Sequence, residues 1–126
     1  MRKSRLAISG VAAAGAMAIA MLATAPMASA SAGASVTGSY AYYNSSSNVL
    51  TSKDTKSDGV SSVAQLRYVS NGTTYIATLT NSAGYGSVGQ TQGSGLSGTV
   101  YVRACLNNRS AGTGIYGCSA WVATAA

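Results

Sequence analysis

The stretch VSSVAQLRYVSNGTTYIATLT, residues 60–80, decides the fold class of this chain. Its two arms, 60–70 and 73–80, are rich in β-branched and aromatic residues and largely alternate between two faces, which is typical of strands. Asn71 and Gly72 join the arms. This pair is the strongest short hairpin signal, because both residues accept the positive φ of a type I′ turn. The sequence therefore predicts an antiparallel hairpin over this stretch.

The rest of the chain beyond residue 30 has the same texture, with short apolar runs separated by Gly, Ser, Asn and Thr, and no helical periodicity. Further strands are predicted at 39–43 and in a last hairpin that joins 99–106 to 118–125, whereas residues 49–59 begin with an apolar pair and become a charged turn region. The Gly-rich segment 81–98 is either an exposed loop or contains a short strand. This spacing predicts an all-β domain, a small β-sandwich or a Greek-key-like barrel of about five to seven strands.

The first 30 residues have the pattern of a secretory signal peptide. MRKSR carries three positive charges, an uncharged apolar run follows, and small residues precede a cleavage between Ala30 and Ser31, with a cut after Ala32 as the alternative. An uncleaved membrane anchor is the competing interpretation, but the run is rich in Ala and Gly, which makes a weak spanning helix. We therefore expect a signal helix over 1–30, and a mature extracellular form that does not span a membrane.

The predicted domain organisation follows from that cut. Residues 31–38 contain one sizeable apolar residue, and we expect them to be flexible, so that a single β-domain covers 39–126. Without residues 1–30, the chain has five Lys and Arg residues and two Asp residues, and its net charge falls from +6 to +3. The five cations are scattered along the chain rather than gathered in a stripe, which argues against a nucleic-acid partner.

Cys105 and Cys118 are the only cysteines of the chain. In an exported protein an even number of cysteines indicates disulfides, and two cysteines allow only one pairing. A zinc site lacks ligands and a cysteine nucleophile lacks a basic partner, because the chain has no His and no Glu. The spacing is also too wide for a redox C-x-x-C pair. We predict a structural disulfide that closes the loop 107–117.

Pairing the two cysteines across the last hairpin places Tyr101 opposite Val122. Tyr101 and Arg103 then share the face of the sheet that carries the cysteines. The opposite face is more apolar and carries three side chains that we expect in the core: Val100, Val102 and Trp121.

The chain lacks the side chains on which most catalysis depends. It has no His or Glu for general acid–base chemistry, and its two carboxylates, Asp54 and Asp58, lie beside Lys53 and Lys56 in a stretch typical of a solvated turn. Two carboxylates also fall short of the roughly six to eight oxygen ligands of calcium. The Gly-rich segment lacks the lysine of a phosphate-binding loop. The sequence predicts no enzyme, no metal and no cofactor.

Eight tyrosines and one tryptophan in a chain without Phe indicate a binding surface, because Tyr combines a flat apolar body with a polar tip. Tyr40 and Tyr42 share one face of a predicted strand and form a candidate glycan platform. The competing interpretation is that tyrosines fill the half-buried faces of a thin β-domain, where they are favoured. The disulfide-closed loop supplies a second set of candidate contact residues: Arg109, Ile115 and Tyr116.

Three parts of the chain resemble uncharacterised small secreted proteins of actinomycetes: KDTKSDGVSSVAQLRY, the Gly/Ser-rich middle, and VYVRAC…CSAW. The shared features are an Asp-x-Lys-x-Asp-Gly run that leads into a strand and a late Cys–Cys pair near a Trp. The resemblance covers residues 49–122, and the Ala-rich signal fits such a source. It implies no activity, and no functional residue is transferred from it.

The sequence therefore predicts a secreted, non-enzymatic binding or interaction module. This prediction rests on the signal peptide, the disulfide-closed hairpin, the exposed turns and the lack of catalytic groups. The partner that we expect is an extracellular protein or a cell-wall glycan. The alternative is a secreted inhibitor or small toxin that contacts its target through the loop 107–117.

Overall fold

The computed structural model describes residues 31–126, and the predictions made for residues 1–30 lie outside this range. Nine strands and no helix make up the described chain. The strands are β1 (Ser31–Val36), β2 (Ser39–Asn44), β3 (Val49–Asp54), β4 (Ser61–Ser70), β5 (Thr73–Asn81), β6 (Val88–Gln92), β7 (Thr99–Asn107), β8 (Ile115–Tyr116) and β9 (Val122–Ala125).

The strands form two antiparallel sheets that enclose one core. The first sheet has the order β1-β2-β3-β6, and the second has the order β5-β4-β7, with both β8 and β9 paired to β7. This confirms the predicted all-β fold as a small sandwich. The number of strands exceeds the predicted five to seven, because β1, β3 and β6 are additional and two short strands, β8 and β9, stand where one last strand was predicted.

The hairpin predicted over residues 60–80 is confirmed as β4 and β5. Asn71 and Gly72 have φ angles of 52° and 78°, which a type I′ turn requires. The pairing continues without interruption from this turn to Ser62, which lies opposite Asn81. Alternation along β4 therefore gives one face to the core and the other to the outside of the sandwich.

Residues 31–38, which we expected to be flexible, instead form β1 and a tight turn. β1 pairs along its whole length with β2, so that Ala32 lies opposite Tyr43. The expectation rested on the lack of large apolar side chains in this stretch. An edge strand gains backbone hydrogen bonds whatever its side chains, and Ala32 and Ala34 are buried in a core this thin.

The core has an apolar end and a polar end. The apolar end holds the larger buried side chains: Tyr43, Leu50 and Leu66. At the polar end Ser52 Oγ and Ser62 Oγ form a hydrogen bond of 2.9 Å. The Asn81 amide donates to the carbonyl of Ser52 at 3.2 Å and to that of Ser87 at 3.0 Å, which fixes the chain leading into β6. β6 is the short strand within the Gly-rich segment 81–98.

The last hairpin has a register that differs from the predicted one. The sequence predicts Tyr101 opposite Val122, and the structure has Tyr101 opposite Ala123. The chain between β8 and β9 leaves the ladder, and Ser119 replaces the missing strand contacts. The Ser119 N–H donates to the Ala104 carbonyl at 2.8 Å, and Ser119 Oγ accepts from the Ala104 N–H at 3.1 Å.

This register decides the position of the tryptophan. A shift of one residue exchanges the two faces of a strand. Val100 and Val102 are fully buried as predicted, but Thr124 occupies the core position opposite Val100. Trp121 lies half-buried on the outer face, so its predicted place in the core is wrong.

The disulfide between Cys105 and Cys118 is confirmed, with the two Cα atoms 4.1 Å apart. Cys105 lies on the outer face of β7 and is nevertheless fully buried. Cys118 and the Gln65 side chain lie over it, the latter with its Oε1 3.8 Å from the Cys105 sulfur. The bridge thus holds the segment 117–121 against β7.

Candidate binding surfaces

The outer face of the second sheet carries a cluster that we call the arginine platform: Arg67, Arg103, Tyr101 and Trp121. The register places Arg67 on β4 directly opposite Tyr101 on β7, and Gln65 opposite Arg103. Trp121 reaches the same face because the disulfide and Ser119 hold the chain before β9 over β7. Residues from three parts of the chain therefore meet on one surface.

Both guanidinium groups of the platform contact the same indole. The Arg103 Cζ lies 4.3 Å from the centroid of the Trp121 ring, and the Arg67 Cζ lies 4.8 Å from it and 4.3 Å from the centroid of the Tyr101 ring. These distances are within the roughly 6 Å of cation–π attraction. Gln65 Oε1 also accepts a hydrogen bond of 2.8 Å from Arg103 Nε, which fixes that side chain further.

No carboxylate within residues 31–126 forms an ion pair with the platform. The two acidic side chains are engaged in turns instead. Asp54 accepts a hydrogen bond of 3.1 Å from the Lys56 N–H, and Asp58 accepts one of 3.0 Å from the Val60 N–H. Asp54 is buried, in contrast to the solvated turn predicted for it. The platform therefore presents two positive charges without a counter-charge from the described chain.

A groove with a volume of about 400 Å³ opens between the two sheets at the apolar end of the core. We call it the tyrosine groove because Tyr43, Tyr68 and Tyr75 line it. Tyr68 and Tyr75 lie directly opposite each other in the β4–β5 hairpin, and their rings stack with centroids 5.6 Å apart and planes at 22°. The volume falls in the range of small-ligand sites, about 300–1,000 Å³.

The lining of the tyrosine groove combines aromatic and amide groups. None of its described residues carries a charge at neutral pH. Asn48 Nδ2 donates to Tyr43 Oη at 2.7 Å, and Gln92 Nε2 donates to the Ser47 carbonyl at 3.1 Å. Both amides are thereby oriented, and their carbonyl oxygens have no partner among the described residues. The groove offers a ligand aromatic faces and fixed acceptors.

Tyr40 and Tyr42, the predicted glycan platform, lie on the outer face of the first sheet. Their rings stack with centroids 6.3 Å apart and planes at 17°. Tyr40 lies over Gly33, where a Cβ atom would come within 2.5 Å of the Tyr40 hydroxyl. The structure therefore brings these two residues together as a flat strip, and their role in binding stays a prediction.

The three residues predicted in the disulfide-closed loop do not form one surface. Ile115 and Tyr116 are 42% and 39% exposed, but as neighbours on β8 they point to opposite sides of the sheet. Arg109 is exposed in the turn that precedes β8. The loop thus presents an apolar side chain on each side rather than one continuous contact.

Neither the arginine platform nor the tyrosine groove was predicted from the sequence. The sequence does contain a signal for the groove. Tyr68 lies three residues before Asn71 and Tyr75 three residues after Gly72, so the predicted hairpin makes them cross-strand partners. The platform had only a partial signal, the shared face of Arg103 and Tyr101. Pairing of β4 with β7 and the position of Trp121 depend on contacts distant in the sequence.

Residues 31–126 contain no helix of the length and apolar character that crossing a membrane requires. The same residues contain no group of three or more His, Cys, Asp or Glu side chains that could hold a metal ion. No protein-family model, no curated protein and no solved structure matches the chain. The resemblance to small secreted actinomycete proteins stays a prediction.

Proposed function

We propose that this chain is a secreted, non-enzymatic binding module that holds a neutral saccharide unit of an extracellular glycan in the tyrosine groove. The observation that carries the proposal is the lining of the groove: stacked Tyr68 and Tyr75 rings beside two oriented amides, without a charge. Tyrosine rings pack against the apolar faces of a ligand while their hydroxyl groups form hydrogen bonds. Amide oxygens at fixed positions accept hydrogen bonds from hydroxyl groups and give such a site its specificity.

The absence of charge in the lining favours a neutral ligand over an ionic one. A charged ligand would lose hydration free energy on entering this groove. No described side chain of the lining could offset that loss by forming an ion pair with it. A sugar ring carries hydroxyl groups around apolar C–H faces, which matches a groove of aromatic faces and acceptors. The size of the groove restricts the ligand to one or a few sugar units.

The predicted signal peptide and the disulfide support the extracellular setting of this proposal. The pattern of residues 1–30 is that of a signal peptide, and a disulfide persists in oxidising compartments. The expected partner is then a glycan of a cell wall.

The test is a binding assay of the protein with insoluble cell wall, chitin and cellulose, followed by titration of soluble oligosaccharides from whichever material depletes it. Tyr75→Ala should weaken binding about tenfold, because it removes one ring of the stacked pair while Tyr75 itself is 47% exposed and contributes little to the core. Tyr85→Ala is the matched control, since Tyr85 is 67% exposed and lies outside the groove. Equal loss in both variants, or depletion by none of the three materials, would refute the proposal.

The second candidate is the secreted inhibitor or small toxin that contacts its target through the loop 107–117. The exposed Ile115 and Tyr116 in a loop closed by a disulfide favour it. Inhibition of a target enzyme, or of competitor growth, should disappear in Arg109→Ala or Tyr116→Ala and persist in Tyr75→Ala. Inhibition that survives both loop variants would eliminate this candidate.

A further inference from the structure

The arginine platform is a second binding feature, separate from the tyrosine groove. Its residues lie on the outer face of the second sheet, and none of them lines the groove. Arg67 and Arg103 are held against one indole ring, and like charges at such separations repel each other. The two acidic side chains of the described residues are engaged in turns, so neither of them offsets this repulsion. An anion bound at this place would relieve the repulsion.

The stacking leaves the hydrogen-bond donors of the guanidinium groups available. A ring contacts the flat face of a guanidinium, whereas the N–H donors point outward in its plane. Within the described chain the Arg67 guanidinium donates no hydrogen bond, and Arg103 uses its Nε toward Gln65. Such planar donor sets match the paired oxygens of a carboxylate or a phosphate. We propose that the arginine platform binds the anionic groups of an acidic polysaccharide.

The surroundings of the two arginines favour a polysaccharide over a nucleic acid. Duplex DNA carries one negative charge per about 1.7 Å of its axis, and proteins meet it with a broad basic surface. Here two cations stand alone on the face, and the neighbouring strand β5 adds neutral side chains. Thr74 and Thr78 on β5 are exposed on this same face and offer hydroxyl groups to a polyol. Ile76 lies between these two threonines, opposite Arg67, and is 50% exposed, and Thr78 Oγ1 accepts a hydrogen bond of 3.1 Å from Gln65 Nε2. The face thus combines two cations with hydroxyl and apolar side chains, which suits the charged groups, hydroxyl groups and C–H faces of an acidic glycan.

The chain carries its own reporter for this site. Trp121 is the only tryptophan, and its ring contacts both arginines, so its fluorescence responds to an anion bound there. The probes are polygalacturonate for sugar carboxylates and poly(glycerol phosphate) for polyol phosphates. Neutral dextran, inorganic phosphate and a DNA duplex are the comparisons. We expect a saturable change in emission with at least one of the two polymers, and the stronger one identifies the anionic group.

Variants of the arginines test the assignment. Arg67→Gln and Arg103→Gln should each weaken polymer binding about tenfold or more, because each removes charge-assisted hydrogen bonds. Lys56→Gln makes the same change of charge at an exposed position after β3, away from the platform, and should leave the affinity unchanged. Arg67→Lys keeps the charge without the planar donor set and should bind with intermediate affinity, which keeps the test decisive if Arg67→Gln fails to fold.

Four results would overturn the proposal. They are no saturable response to either polymer, equal affinity for dextran or inorganic phosphate, tighter binding of the DNA duplex, and the same loss in Lys56→Gln as in Arg67→Gln. The result is also distinguishable from that of the groove. Tyr75→Ala, which tests the saccharide proposal, should leave the response to acidic polymers unchanged, since Tyr75 is absent from the platform.

Discussion

Two neighbouring residues of one strand, Arg67 and Tyr68, belong to two different surfaces. Arg67 stacks on Trp121 and Tyr101 on the outside of the second sheet, whereas Tyr68 stacks on Tyr75 above the groove between the sheets. Alternation along β4 separates the two side chains. Both surfaces are built on aromatic rings, but the rings contact different groups in each. In the platform they hold cations in place, and in the groove they line the proposed saccharide site.

The two surfaces also differ in how they are supported. The groove depends on a local hairpin, because Tyr68 and Tyr75 are paired by the turn at Asn71 and Gly72. The platform depends on long-range contacts, because Trp121 is placed by the disulfide and by Ser119. Variants that act on one support should therefore leave the other surface functional.

The largest expected effect is that of removing the disulfide. Replacing Cys105 and Cys118 together by Ser should lower the free energy of unfolding by about 3 kcal/mol, the chain-entropy value for a loop of this length. The melting temperature should fall by roughly 10–20 °C. Below that temperature, Trp121 emission should lose its response to acidic polymers, while saccharide binding in the groove persists.

Thermal denaturation and the two binding assays, performed on the same preparation, check this prediction. The unaltered protein under reducing and oxidising conditions provides the control. If both surfaces lose function in parallel well below the new melting temperature, the platform and the groove are not independently supported.

A smaller effect is expected at the hairpin turn. Gly72→Ala places a Cβ at a φ of 78° and should destabilise the protein by about 1–2 kcal/mol. It should also weaken saccharide binding, because the turn sets the pairing of Tyr68 with Tyr75. Gly72→Asn is the matched control, since Asn tolerates this conformation better than Ala. Urea denaturation gives the stability, and an equal loss in both variants would argue against strain at the turn.

The smallest effect concerns the register that places Trp121 outside. Thr124 is fully buried, and its hydroxyl has no hydrogen-bond partner among the described residues. Thr124→Val should therefore stabilise the protein by about 1 kcal/mol, because it replaces an unsatisfied polar group with an apolar group of the same shape. Thr99→Val, at an exposed position, should change stability by less than about 0.5 kcal/mol.

Urea denaturation of the two threonine variants checks this prediction. Destabilisation by Thr124→Val would contradict the register in which Thr124 faces the core and Trp121 faces outward.

The sequence by itself determined the all-β class, the β4–β5 hairpin and the disulfide. Each of these depends on local chemistry: the positive φ that Asn71 and Gly72 accept, the alternation of the flanking arms, and a pair of cysteines with no other partner. The burial of Val100 and Val102 follows from the same alternation.

Only the tertiary structure decided the edges and the surfaces. Residues 31–36 form a strand because β2 offers them backbone hydrogen-bond partners. Their small side chains give no sign of this pairing in the sequence. Trp121 lies outside because the chain between β8 and β9 leaves the ladder, and one residue of register exchanges the faces of a strand. The arginine platform exists because β4 pairs with β7 across a long separation in sequence. Periodicity within a segment specifies which side chains share a face, and only the partner strand specifies what that face meets.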